Sequence, residues 1–468
     1  MLRRLVARQV TGGRHRSESE AAYRTAATRV LILGGGFGGM AAALALEKRL
    51  GQRPDTSTLV VDRNNDMLFT PLLWTVADGR ANPNDVVVPL RAFQRRRAFH
   101  VLHATVEGID LDAREVRTDA GTRPYDYLVI ALGSETAVPD LPGLRRFAHQ
   151  FHTPADTMEL RNVLIDAVEA AHRTEDESER RAWLTFVVGG GGDTGVELAA
   201  TIRVYLADAL LAAYPWLADV PIRVVVIGRA DRVVPMSSPR ASKAVRRALE
   251  AGGVEVITGV TIDAVTERAV RTSEGEIPAR TLFWAAGITA PPIIRDLPVA
   301  HARNGAVMVD GCLRLADHPE AFAIGDGAWA FDAATGDPVP PTAQAAEHEG
   351  RYVAAAIAAT VAGRQAKPFR YHPLGRLALL GGGRGVAELG GRTITGLPAW
   401  LLWHGYYWSR IPSWRNRVRL LIAWMLAGLI GRETGQLRLS PGGIRAVGDA
   451  ESRSGAPSTE DEVRKKAG

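Results

Sequence analysis

A single cysteine, Cys312, is all that 468 residues contain. One thiol closes no disulfide framework, completes no zinc quartet and forms no dithiol redox pair, so disulfide reductases are excluded and no metal site is expected. Long apolar runs are missing too. The longest near the C terminus, residues 420–430 (LLIAWMLAGLI), holds 11 residues before Gly431 and Arg432, far short of the roughly 20 that cross a bilayer. The start of the chain, MLRRLVARQVTGGRHRSESEAAYRTAATR, is rich in arginine and lacks the apolar core of a secretory signal. Residues 1–28 therefore read as a disordered basic tail, with a transit peptide as the alternative. The polar residues 446–468 read as a second disordered tail. No nucleic-acid-binding motif accompanies the net charge of +6. The basic balance points instead to a phosphorylated cofactor or an acidic lipid surface, and no nucleic acid is expected as partner. Length alone argues for about three domains.

What the chain does have, twice, is a glycine-rich turn between an apolar strand and a helix. The first copy is VLILGGGFGGMAAAL. Val30 to Leu33 fits a buried parallel strand, and Gly34, Gly36 and Gly39 carry the G-x-G-x-x-G spacing. The first glycine permits the tight turn, the second admits a pyrophosphate to the backbone, and the third lets helix and strand pack closely. A helix follows whose N-terminal amides face that pyrophosphate. The next strand, STLVV, ends at Asp62 with Arg63 beside it. A carboxylate there accepts hydrogen bonds from both hydroxyls of an adenosine ribose. The second copy, WLTFVVGGGGDTGVELA, repeats the spacing on Gly190, Gly192 and Gly195, and its first glycine lies 190 − 34 = 156 residues after that of the first. Here the acid is missing. Gly228 ends the following strand and Arg229 comes next, an arrangement that suits a 2′-phosphate. A solvated surface arginine is the alternative reading of Arg229.

Two turns with different second-strand ends imply two dinucleotides. The strand phrases YDYLVIALGSET and ARTLFWAAGITAPP, through Gly133 and Gly287, mark points where the chain crosses between domains, and EAFAIGDGA places Asp326 to hold the ribityl and phosphate region of a flavin. In this order the phrases resemble the two-dinucleotide-binding-domain flavoproteins over residues 29–370. VDRNNDMLFTPLLWTVADG (61–79), TGVELA, LFWAAGITA, AIGDGA, PPTAQAAEHEGRYVA and the closing LPAWLLWHGYYWSRIPSWRNRVRLLIAWMLAGLIGRET resemble type II NADH dehydrogenases more narrowly, from about residue 29 to 440.

That resemblance implies an α/β protein of two Rossmann-like domains, the NAD(P)H domain (151–290) inserted into the FAD domain (29–150 and 291–370), with a membrane-associated region at 371–445. It implies hydride passing from NAD(P)H to FAD and electrons passing on to a membrane quinone. Glu197 would face the nicotinamide–flavin contact and relay protons to the quinone; the plainer reading is an acid favoured in a first helical turn. Gln344 would hydrogen-bond a quinone carbonyl, or else pack at a helix start against the flavin. His348 stands where a second glutamine is usual and could supply a proton. Three further departures, Asp193 for proline, Met67 for histidine and Leu374 for lysine, bear on the choice of nucleotide and quinone and not on the scaffold.

Trp400, Trp403, Trp408, Trp414 and Trp424 alternate with Arg410, Arg415, Arg417 and Arg419 near the C terminus. Tryptophan favours the headgroup level and arginine pairs with anionic lipid, so residues 397–432 are expected to lie on a membrane surface. The protein would then be peripheral (monotopic), on the cytoplasmic face. A buried helical hairpin or a homodimer contact is the alternative for this segment. Two other functions remain consistent with the residues: a soluble flavoprotein reductase serving a small electron-transfer protein, and a flavin-based redox sensor.

Overall fold

Val30 to Leu33 are fully buried in β1 (Thr28–Leu33) of the computed structural model, which describes residues 21–94 and 97–437. The helix α1 (Phe37–Leu50) leads from β1 to β2 (Thr56–Asp62). β1 pairs in parallel with β2 on one side and with Tyr127–Ile130 on the other. An inner strand of such a sheet meets no water on either face, which is why its sequence is continuously apolar and does not alternate. His100–His103 extends the sheet beyond β2, and His318–Ala323 followed by Arg314–Leu315 extends the opposite side.

The second glycine turn builds a second sheet by the same logic. β3 (Thr185–Gly189), α2 (Asp193–Tyr205) and β4 (Arg223–Gly228) repeat the unit, and Val254–Thr258, Thr281–Trp284 and Ala148–Gln150 complete five parallel strands. All five lie in the chain between Ile130 and Arg314, so the second sheet interrupts the first. The outgoing and returning segments meet: Glu135–Thr136 pairs antiparallel with Ile288–Thr289. Gly133 (φ +70°) and Gly287 (φ +84°) precede those two short strands in the left-handed region, where a side chain is strained.

The long helix α3 (Ala343–Val361) returns to pack on α1. The approach is close because of Gly350, where a Cβ would strike Gly38 O and lie 2.9 Å from Ala42 N. A three-stranded antiparallel sheet follows: β5 (Arg376–Leu379), Gly385–Leu389 and Arg392–Thr395. Two helices, α4 (Leu397–Arg410) and α5 (Trp414–Ile430), close the unit, which ends at Thr434. No helix among the described residues is long and apolar enough to cross a membrane.

Two expectations need revision. Order begins before Arg29: residues 21–25 are helical, and Tyr23 is fully buried with its hydroxyl donating to Pro124 O at 2.8 Å. The buried Tyr23 ring and its hydrogen bond anchor that turn to the first domain. Residues 1–20 and 438–468, and with them the rest of the two expected tails, lie outside the described residues. The five C-terminal tryptophans also do not share one outward face. Trp403 is core, Trp400, Trp408 and Trp424 are half-buried, and Trp414 alone is exposed. The arginines are largely committed as well: Arg410 pairs with Glu347, Arg419 with Asp85 at 2.9 Å, and Arg417 Nε donates to Ile411 O at 2.7 Å. The outward face of the hairpin is aliphatic, carrying Leu401, Leu421, Ile422, Met425, Leu429 and Ile430.

Candidate active site

In the first turn the three glycines separate by what surrounds them. Gly34 sits at φ +101°, and a Cβ there would strike Ala131 O; one on Gly39 would strike Gly34 O. At Gly36, which caps α1, a Cβ would meet nothing within 4 Å. The outer two are demanded by backbone packing, the middle one by space left at a helix N terminus. Asp62, at the end of β2, lies under this turn. Its Oδ2 accepts from Gly35 N at 2.5 Å and its Oδ1 from Asn64 N at 2.7 Å. Burial raises its pKa, and the two amides oppose that rise. Arg63 is exposed, and its carbonyl accepts from His103 Nε2 at 2.9 Å.

The second turn solves the same problem in the same way. Gly190 (φ +138°) would place a Cβ 2.6 Å from Ala285 O, Gly195 would strike Gly190 O, and Gly192 opens on nothing within 4 Å. The residues present fit a dinucleotide at each turn, since a side chain on either middle glycine would fill the cradle. The difference lies beneath. Gly228 faces Gly191, with an added Cβ only 3.2 Å from Gly191 Cα, so no carboxylate sits where Asp62 sits in the first copy. Arg229 follows, exposed and without an ion pair among the described residues. Asp193, the first residue of α2, faces Arg376 across 3.6 Å.

Where the two sheets adjoin, Asp326 takes a hydrogen bond from Ser134 Oγ at 2.8 Å, next to Gly133. Burial raises the Asp326 pKa. The adjacent Gly325 (φ +71°) donates its N–H to Glu349 Oε2 at 2.5 Å. Glu349, on α3, is buried, and burial pushes its carboxyl up to about 7 against the pull of that amide. Sequence reading passed over Glu349. The signal was there: an acid on the face of a helix otherwise lined by small and apolar residues, Ala345, Ala346, Gly350, Val353, Ala354 and Ile357.

Gln344 and His348 lie one turn apart on α3 and meet at Tyr371. Gln344 Oε1 accepts from Tyr371 Oη and from Leu374 N, both at 3.0 Å. The His348 ring is edge-on to Tyr371, with centroids 5.6 Å apart. Burial, then the charge of Arg351, lower the His348 pKa. Glu197 lies elsewhere. It points inward from α2 at 9% exposure, its Oε1 accepting from Leu379 N at 2.8 Å. Burial pushes its carboxyl up to about 8, while hydrogen bonds from Leu379 and the Trp403 and Trp74 side chains resist. The short stretch 371–379 touches both groups, Gln344 at its start and Glu197 at its end. Tyr371, Trp74 and Trp403 were not foreseen as neighbours of these residues, because nothing local in the sequence brings them there.

Residues 28–350 match the family described as pyridine nucleotide-disulphide oxidoreductase, and residues 374–433 match the NDH2 C-terminal domain. Among curated proteins, the type II NADH:quinone oxidoreductase NdhA of Mycobacterium tuberculosis is 33% identical over 432 residues, covering 88% of this chain and 89% of the relative. The demethylphylloquinone reductase NdbB of Synechocystis is 31% identical over 411 residues, covering 85% and 95%. Among solved structures, NDH2 from Plasmodium falciparum in complex with NADH superposes with a TM-score of 0.78 at 19% identity, covering 87% of this chain and 100% of that one.

Proposed function

The chain belongs to the type II NADH:quinone oxidoreductases, and from that premise we infer an FAD-dependent enzyme that takes electrons from NAD(P)H and passes them to a membrane quinone. One observation carries the reading. The glycine turn is built twice, and in both copies the outer glycines close on backbone while the middle one opens on space. Despite the name of the wider family, the lone Cys312 leaves no dithiol to work through.

Gly34, Gly36 and Gly39 with the N terminus of α1 would hold the FAD pyrophosphate, Asp62 and Arg63 its adenosine end, and Gly133 and Asp326 its flavin end. FAD, when bound, supplies the two-electron chemistry between nicotinamide and quinone. Gly190, Gly192, Gly195 and Gly287 would hold the nicotinamide dinucleotide. Glu197, protonated at neutral pH in its dry pocket, keeps a proton where α2 meets β5, in store for quinone reduction. Gln344 has its carbonyl engaged by Tyr371 and Leu374, which leaves its amide N–H groups to donate to a quinone carbonyl. His348, neutral in its half-buried position, carries one N–H beside it. The aliphatic face of α4 and α5 would rest on the cytoplasmic face of the membrane within residues 397–432, with anionic lipid a secondary attraction because most of the local arginines are already paired.

The missing acid at Gly228 and the exposed Arg229 beside it, without an ion pair among the described residues, favour NADPH. A charge-assisted hydrogen bond to the 2′-phosphate is worth about 1.5–3 kcal/mol. Anaerobic titration with NADH and then NADPH, followed by a short-chain quinone, tests the whole reading. Flavin absorbance should bleach with either nucleotide and return with quinone, and kcat/KM for NADPH should equal or exceed that for NADH. No bleaching by either nucleotide would end the enzyme reading; a strong NADH preference would end only the assignment of Arg229.

A further inference from the structure

Asp193 opens α2 directly after Gly192, beside the space where a dinucleotide pyrophosphate must approach. A carboxylate there repels the incoming anion. It also takes up the positive end of the helix dipole that would otherwise serve the ligand. On its own, this residue makes the second turn a poor phosphate site.

Among the described residues, the cation that pairs with it comes from far along the chain. Arg376 Nη1 lies 3.6 Å from Asp193 Oδ2, close enough for an ion pair but longer than a hydrogen bond. The side chains are 29% and 57% exposed respectively, so the pair adds little to folding stability. Arg376 makes no other side-chain ion pair or hydrogen bond among the described residues. Its backbone, by contrast, is firmly held. Arg376 pairs with Glu388 in the C-terminal sheet, Leu374 N is bonded to Gln344, and Leu379 N is bonded to Glu197. A strand held on both sides thus presents a guanidinium, engaged in no other ion pair among the described residues, to the acid that opens α2 beside the second cradle.

We propose that Arg376 is a positioning residue for nicotinamide dinucleotide affinity, acting by neutralising Asp193 so that the pyrophosphate can enter the Gly192 cradle. The inference rests on the reading that the second turn holds the dinucleotide. It makes the C-terminal sheet part of the nucleotide site, although no residue of that sheet belongs to the glycine turn. Neutralising Asp193 requires positive charge at this position and no particular geometry, so lysine should substitute for arginine here.

The test uses the FAD-loaded protein and calorimetric binding of NAD+ and NADP+, beside steady-state kinetics. Arg376→Ala should weaken binding of both nucleotides about tenfold, raising KM in parallel while kcat at saturating nucleotide and the KM for quinone hold. Arg376→Lys should stay close to wild type. Asp193→Asn alone should bind as tightly as wild type or more tightly. In the Asp193→Asn background, Arg376→Ala should cost little, because the charge it offsets is gone. Raising salt should narrow the gap between Arg376→Ala and wild type. The proposal is overturned if Arg376→Ala binds like wild type, if it costs the same in both backgrounds, or if its defect appears only in kcat or quinone KM. Gly192→Val distinguishes the deeper failure. It should abolish nucleotide binding while flavin is kept, and normal binding there would mean that the second turn is not the dinucleotide site at all.

Discussion

Gly34 and Gly36 are neighbours but one, and substituting them should fail in opposite ways. A side chain on Gly34 drives into Ala131 O from a left-handed backbone, so Gly34→Ala should fold poorly or not at all. At Gly36 the same change meets no protein atom within 4 Å. Gly36→Val should therefore fold, remain soluble and lose its flavin, read as a normal circular dichroism spectrum from a colourless protein. A yellow Gly36→Val protein would mean that the first turn serves something else. Glu197 invites a different test. Burial holds its carboxyl at about 8 against an ordinary 4.5, so the folded state retains a proton that the unfolded chain gives up. The stability this contributes is complete below the unfolded pKa and is lost as pH rises through about 8. Glu197→Gln should match wild type in melting temperature near the acid end and become the more stable protein above the folded pKa. Its quinone turnover should fall about a hundredfold, the lower range for loss of a general acid, while flavin reduction by nucleotide persists. A melting-temperature difference that does not vary with pH would show that Glu197 is ionised in the folded protein.

Among the elements, the α4–α5 hairpin departs furthest from its sequence pattern. Its alternating tryptophans and arginines suggested a surface read by headgroups, yet Trp403 and Leu420 belong to the main core and Arg410, Arg417 and Arg419 are occupied within the protein. Beyond Trp414 and Arg415 at its start, what α5 turns outward is a run of aliphatic side chains. Replacing Leu421, Met425 and Leu429 with serine should leave folding and flavin content intact and abolish flotation with lipid vesicles. Added salt should weaken the wild-type interaction much less than that triple substitution does, because screening acts on charge and not on apolar burial. Flotation that survives the triple change but collapses in salt would return the role to the arginines. If the triple change instead breaks a dimer, measured by light scattering, the face belongs to a second copy of the chain.

At the scale of the whole molecule, both glycine turns, both adjoining strands and the missing acid at Gly228 were legible in the sequence. Each depends on atoms within a few residues of one another, and the demands of a tight turn and a buried parallel strand are local. The insertion of the second sheet into the first was legible in the order of the phrases. Local pattern could not reveal which distant side chains converge. Glu349 reaching Gly325, Tyr371 reaching Gln344, and Arg376 facing Asp193 join residues between 24 and 183 positions apart (349 − 325 and 376 − 193). The direction of the hairpin's tryptophans belongs to the same class, because an indole is equally suited to a core and to a membrane interface. Helix and strand starts follow from backbone sterics and hydrophobic pattern, which the chain carries in every window. The proton affinity of Glu197 follows from which surfaces exclude water around it, and those surfaces come from α2, β5 and α4, brought together only when the chain is folded.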